Sequence, residues 1–352
     1  MKKKKEEKTK QIKQTKSSKE IKLINIRFFA ILMVVLGHSI IIYSESWNVF
    51  ETIHSVAILN YLKKFIGIFQ MPLFFSLSGY LFYYTCCKQR KFWTFLKDKF
   101  LRLIVPFVCV TALYMIPLKM LLNVPAFTSN NYFALLYRNI FELKSSGHLW
   151  FCIVLFIIFI IYFILDKIFK LSIKDKKHFV IDALILVGAL GFRYFAPDIK
   201  EIINLTAIYR VATYLFWFYL GFIICKYFEL GKKEDSSKLW FVPYLCILTG
   251  GSIVYTMLRG GFIFNMLSAF LFIVTIYLIV PAKTNKYVEY IERNSMGMFL
   301  LHSPLIYISF TYFPNINPIL MVFINFVIYG LLTTVISELL RKTKLKFIIG
   351  EK

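Results

Sequence analysis

The chain carries ten apolar runs, each about long enough to cross the ~30 Å hydrocarbon core of a bilayer with some tilt. They lie near 23–43, 61–85, 103–123, 149–166, 179–195, 206–226, 239–258, 262–281, 295–313 and 317–340. In hydrocarbon every backbone N–H and C=O must find its partner inside the protein, so runs of this length are held to α-helices. The expected fold is an all-α polytopic membrane protein with about ten transmembrane helices. Composition agrees: 58% hydrophobic residues, 18% aromatic and a mean hydropathy of +0.64 lie outside the range of an ordinary soluble domain.

The net charge of +24 does not point to nucleic acid. The basic residues stand in blocks between apolar runs and are not interleaved with stacking aromatics on one surface. Thirty-three of the 43 lysines and arginines fall in residues 1–22, 88–102, 167–178, 226–238, 283–293 and 341–352, an asymmetry that places both termini in the cytosol. Residues 1–22 hold ten lysines and no cleavage-type motif, which predicts a disordered cytosolic tail lying against anionic lipid, then a retained helix. The membrane-embedded part is expected over 23–342, with a short cytosolic tail at 343–352. The six cysteines, Cys86, Cys87, Cys109, Cys152, Cys225 and Cys246, have no ligand spacing and sit in or beside apolar runs, as buried small hydrophobes do. No metal is expected.

Two connections are more than spacers. Over 88–102, Phe92, Phe95, Leu96, Phe100 and Leu103 recur at helical spacing, which predicts an interfacial amphipathic helix leading into the third span. Residues 123–148 form the longest outer connection, long enough to fold over the external mouth. Pro72, Pro106 and Pro117 predict kinks in the second and third spans.

The first span is marked by Arg27 and His38, separated by the uncharged run FFAILMVVLG. Eleven positions of α-helix turn through about 1100°, so the two side chains share a stripe within roughly 20° while lying ~16 Å apart. Ionisable groups at such depth are costly and mark function by default; a snorkelling anchor and a packed histidine are the structural alternatives. His148, just before the fourth span, is a third catalytic candidate, the alternative being an ordinary interface residue beside Trp150 in an aromatic belt, and His302 lies in the ninth. Ser76, Ser78 and Gly79 suit close packing beside the first helix better than a nucleophile; Ser78 is also a substrate-binding candidate. Arg193, Arg210 and Arg259 approach the outer surface, where an anionic glycan or a snorkelling role would suit them. Glu45, Glu51 and His54 form a modest outer polar cluster.

The ordered set of FQMPLFFSLSGYLF at 69–82, KFLRLIVP at 99–106, HLWF at 148–151, YLFWFYLGFII at 214–224 and NSMGMFLLHSPL at 294–305, following Arg27 and His38, resembles the acyltransferase-3 family of integral-membrane acyltransferases. The resemblance covers essentially all of the chain after the tail. It implies a ten-helix, multi-pass protein of a bacterial plasma membrane that takes an acyl group, most often acetyl, from cytosolic acyl-CoA to a hydroxyl of a surface or lipid-linked saccharide. It implies essential roles for Arg27 and His38, and correspondence of Arg102 and His148 to further family positions. Some members carry an added hydrolase-like domain, for which a chain ending at Lys352 leaves no room.

The chemistry is compatible. Acyl transfer to an alcohol needs a base and donors for the developing oxyanion. A histidine serves as base or as transient acyl carrier. Arg27, Arg102 and Arg90 suit the phosphates of coenzyme A, and His302 suits orienting His38 or lining the acceptor path. The competing reading is a transporter of saccharide or lipid-linked glycan without acyl transfer, although the halves show no internal symmetry. A second class of histidine-dependent membrane O-acyltransferases fits less well, because the prominent histidine here is in the first span.

Overall fold

Ser17 and Glu20 start the first helix. The Ser17 hydroxyl accepts the Glu20 N–H at 3.2 Å and the Glu20 carboxylate accepts the Ser17 N–H at 2.8 Å, a reciprocal cap that satisfies two donors a helix start leaves open. Helix α1 therefore runs Ser18–Ile41. It begins five residues before the predicted tail boundary, since the cap outweighs the local charge. The computed structural model describes residues 16–45, 56–128, 130–143, 145–203, 205–228 and 240–351. The rest of the tail, most of the 226–238 connection, Glu51 and His54 lie outside them.

Among the described residues the chain is all helical, with no strand. The long elements after α1 are α2 (Ala57–Cys87) and α3 (Phe92–Leu121), followed by the shorter α4 (Tyr132–Ile140). Next come α5 (Trp150–Phe169), α6 (Lys176–Tyr194), the short α7 (Ala196–Ile203) and α8 (Thr206–Tyr227). The series closes with α9 (Val242–Arg259), α10 (Phe262–Ile279), short α11 (Lys286–Arg293), α12 (Ser295–Tyr312) and α13 (Pro318–Arg341). Among the described residues seven helices, α1, α2, α3, α5 with its preceding turn, α8, α10 and α13, are long and apolar enough to cross a membrane. The long α6, α9 and α12 occupy the other three predicted spans but are more polar, α6 through Asp182 and α12 through His302 and three serines. Outward faces are apolar, with Leu113, Leu184, Ile247 and Leu258 largely exposed, as side chains solvated by lipid would be.

Helix α2 runs unbroken through Pro72, whereas Pro106 and Pro117 act as expected, in a specific form. In α3 the backbone widens into π-type turns at Phe100–Ile104 and Thr111–Met115, just ahead of Pro106 and Pro117. Proline has no N–H for the carbonyl four residues back and its ring crowds that carbonyl; a wider turn relieves both. The amphipathic segment at 92–99 continues through the first such turn into the span, with Phe95 buried and Trp93 exposed. Freed by Pro106, the Arg102 carbonyl is met by Gly350, where a Cβ would sit 2.6 Å from that oxygen and φ is +76°. The C-terminal segment is thus not a loose tail: its 3₁₀ turn Lys344–Ile349 docks on α3 and buries Ile349.

Helices α2 and α8 meet at backbone distance. A Cβ on Gly79 would lie 1.7 Å from the Phe218 carbonyl oxygen, and one on Gly221 1.8 Å from that of Ser76. Small residues are what let membrane helices approach so closely. The 123–148 connection packs on α3 through α4, whose Tyr132 hydroxyl donates to the Ala112 carbonyl at 2.9 Å. Lys16 pairs with Glu289 of α11 at 2.8 Å, and Glu351 pairs with Arg341, which also bonds the Arg293 carbonyl. Both described chain ends therefore sit at one end of the bundle.

Candidate active site

Three imidazoles from distant parts of the sequence meet at the other end. The ring centroids of His38 and His302 are 5.0 Å apart, those of His148 and His302 5.1 Å, and those of His38 and His148 5.8 Å. His38 stands near the end of α1, His148 in the 3₁₀ turn Gly147–Leu149 that leads into α5, and His302 in α12. His148 and His302 are buried, whereas His38 keeps part of its surface accessible.

Helix carbonyls set the tautomers. His302 Nδ1 lies 2.9 Å from the carbonyl oxygens of both Met298 and Phe299, so it carries the hydrogen. Its Nε2 is then an acceptor, 3.2 Å from His38 Nδ1. His38 Nδ1 also faces the Val34 carbonyl at 2.9 Å, so it must be protonated, and His38 Nε2 bears the lone pair. The neutral imidazole has one donor and one acceptor, so fixing one nitrogen fixes the other. His148 Nε2 donates to the Leu300 carbonyl at 3.2 Å. That carbonyl is four residues before Pro304, which has no N–H to give it. The proline in SPL thus creates the acceptor that orients His148.

Two lysines and a glutamine surround the cluster. Lys63 lies within electrostatic reach of His38 and Lys119 within reach of His148. Lys119 is buried, 4.7 Å from the Phe127 ring centroid and 4.6 Å from that of Tyr307. Gly37, next to His38, admits the Gln70 carbonyl oxygen and Lys63, which a Cβ would meet at 2.5 and 3.5 Å. Neither Lys63 nor Lys119 was singled out from sequence; a lysine well inside an apolar run was the signal available.

Arg27 belongs to a second network, at the end holding the termini. Its Nη1 lies 2.6 Å from a carboxylate oxygen of Glu292. Arg102, exposed, is within electrostatic reach of Arg27, Glu292 and Glu351 and has no ion pair among the described residues. Arg90 is paired with Asp98 at 3.0 Å, so its guanidinium is already engaged. Ser78 donates to the Phe74 carbonyl of its own helix at 3.0 Å and stands in neither network. Helix α1 is continuous between Arg27 and His38, keeping the two ~16 Å apart. Ile31 and Val34, on the stripe between them, are fully buried, so that stripe is packed, not an open cleft. A groove of about 510 Å³ lies beside the Arg27 end, lined by Asn25, Phe29, Pro281 and Asn285 among others. Among the described residues no group of three His, Cys, Asp or Glu is disposed to hold a metal.

A family model described as an acyltransferase domain matches residues 20–342. The chain belongs to the acyltransferase-3 family. No curated protein and no solved structure matches it. This acyltransferase-3 protein thus pairs a membrane acyl-transfer family with a helical bundle polarised between an arginine–carboxylate network at one end and an imidazole cluster at the other.

Sequence did not foresee the buried network of Asp182. Its carboxylate accepts from the Tyr219 hydroxyl at 2.6 Å, Lys226 Nζ at 2.5 Å and the Tyr227 hydroxyl at 2.7 Å. The pair is sealed, with Lys226 and Asp182 side chains 0% and 1% exposed. Every oxygen lone pair in use belongs to a closed contact, so the network binds α6 to α8.

Proposed function

We propose that this protein transfers an acetyl group from acetyl-CoA, or another acyl group from its acyl-CoA, to a hydroxyl of a cell-surface or lipid-linked saccharide. All ten long helices cross a bacterial plasma membrane, with both termini cytosolic. The observation that carries this reading is the contact of His38 Nδ1 with His302 Nε2 at 3.2 Å and with the Val34 carbonyl at 2.9 Å, which leaves His38 Nε2 without a hydrogen-bond partner among the described residues.

In the transfer, His38 Nε2 takes the proton of the acceptor hydroxyl as its oxygen attacks the thioester carbonyl. The C–O bond forms, the C–S bond breaks, and the coenzyme A thiolate leaves with the proton that His38 returns. His302 holds the ring, and the cationic groups Lys63 and Lys119 favour the oxyanion that develops between these steps. Arg102 and Arg27 receive the donor's phosphates at the cytosolic end; the planar guanidinium fork suits them. Because Ile31 and Val34 fill the stripe between the ends, side chains along α1 move when the thioester arm enters. His148 takes a supporting role by packing His302 from its other side.

Mass spectrometry of surface glycans from cells with and without the protein tests this. An acyl mass, 42 Da for acetyl, lost together with the protein is the expected result. Unchanged glycan masses, with acyl-CoA unconsumed by purified protein, would contradict it.

A further inference from the structure

Arg210 stands at the start of α8 with its guanidinium carbon 4.1 Å from the Trp150 ring centroid. Trp150 stacks on Tyr214 at 5.4 Å, and Tyr214 stacks on Phe75 at 4.4 Å. Arg193, at the end of α6, lies 5.2 Å from the Phe262 ring, and Tyr214 is within electrostatic reach of both arginines. Trp150 is two residues from His148, so this assembly adjoins the imidazole cluster.

Neither arginine is a simple snorkelling anchor. Both residues are half-buried, and in each one guanidinium nitrogen, Arg193 Nε and Arg210 Nη1, is buried with no hydrogen-bond acceptor among the described residues, whereas a snorkelling side chain carries its whole head to water. Among the described residues neither arginine forms an ion pair, although Asp198 and Glu201 stand on α7 between them in sequence. Each cation thus keeps one buried, unpartnered donor, Arg210 over Trp150 and Arg193 over Phe262, with Tyr214 within electrostatic reach of both, an arrangement suited to a planar anion.

We propose that Arg193 and Arg210, with Trp150 and Tyr214, recognise an acidic group, a carboxylate or phosphate, on the saccharide acceptor; this rests on the reading of the chain as a saccharide acyltransferase. The aromatic face takes the apolar side of a sugar ring and the guanidinium forks take its charge. The acceptor hydroxyl then lies towards His148 and His38. The site thereby selects acidic saccharides over neutral ones.

Binding, not turnover, tests this. The full chain in nanodiscs of neutral phosphatidylcholine is titrated with a glucuronate-containing tetrasaccharide and with its carboxyl-reduced form. The acidic form is expected to bind about tenfold tighter or more, as charge-assisted contacts to two guanidiniums would give. R193Q and R210Q should each remove most of that preference, R210K should keep part of it, and R259Q, on exposed Arg259, should keep all of it. If the glutamine variants fail to fold, the wild-type comparison of the two sugars alone decides. Equal binding of both sugars, or a preference that survives both substitutions, would overturn the proposal. So would native mass spectrometry from membranes containing phosphatidylglycerol, if that lipid stays on the wild type and leaves R193Q and R210Q, since the arginines would then anchor a headgroup. No acyl transfer enters this measurement, so its failure leaves the transferase reading standing, and failure of that reading leaves the binding result intact.

Discussion

His302 Nε2 sits 3.2 Å from His38 Nδ1, with His302 Nδ1 held by two carbonyls of its own helix. The pair makes His302 a positioning residue for His38. His302→Ala should therefore lower kcat by about 10²-fold, the scale of a modest misplacement of a reacting group, and leave KM for the acyl donor near its original value. A rise in KM at constant kcat would assign His302 to donor binding instead.

The Arg27–Glu292 pair joins α1 to α11, with side-chain exposures of 34% and 14%. Removing the arginine strands a mostly buried carboxylate, while removing both partners does not. Arg27→Ala should destabilise the protein by about 1–3 kcal/mol, discounted from a fully buried pair for partial solvation. The double change with Glu292→Ala should recover most of that stability but not activity, because the cation for the donor is still missing. Thermal unfolding in detergent, read beside acyl-CoA consumption, checks both parts.

Gly79 and Gly221 should not tolerate a methyl group. Each Cβ would enter a backbone carbonyl of the facing helix, and backbone cannot swing aside as a side chain does. Gly79→Ala and Gly221→Ala should each cost more than about 3 kcal/mol, at the upper end of overpacking effects, and abolish monodisperse protein. Gly188→Ala, where nothing lies within 4 Å, should leave yield unchanged.

Asp182→Ala should be severe, since it leaves Lys226 charged and sealed in apolar surroundings; breaking such a pair costs about 3–5 kcal/mol. Replacing both, as Asp182→Leu with Lys226→Met, should restore most of the folded yield. Normal yield for the single variant, measured by size-exclusion profile, would show the pair to be dispensable.

The helices were legible because bilayer thickness fixes their length. Among the described residues, seven of the ten runs read from sequence are helices long and apolar enough to cross a bilayer and the other three fall in more polar helices, while the prolines at 106 and 117 widen the turns ahead of them. The histidines were legible singly, as costly groups in apolar runs. Their meeting was not, because it depends on how α1, α5 and α12 pack, and sequence gives no distance between residues 264 apart. The Pro304 link to His148 was hidden for the same reason: the freed carbonyl is local, its acceptor role tertiary. Arg27 and Arg90 showed their charge in the sequence, but Glu292 and Asp98, which engage them, do not announce their partners. Lys226 was counted with a basic connection and Asp182 lay unremarked inside the run 179–195; the two form a buried pair.

The most direct test is the rate at which the reconstituted full chain moves labelled acetyl from acetyl-CoA into surface glycan, compared between the wild type and His38→Ala at matched, folded membrane levels. The account predicts a loss of about 10²–10⁴-fold, the contribution of a positioned general base. A variant that retains turnover within a few-fold of the wild type would contradict it.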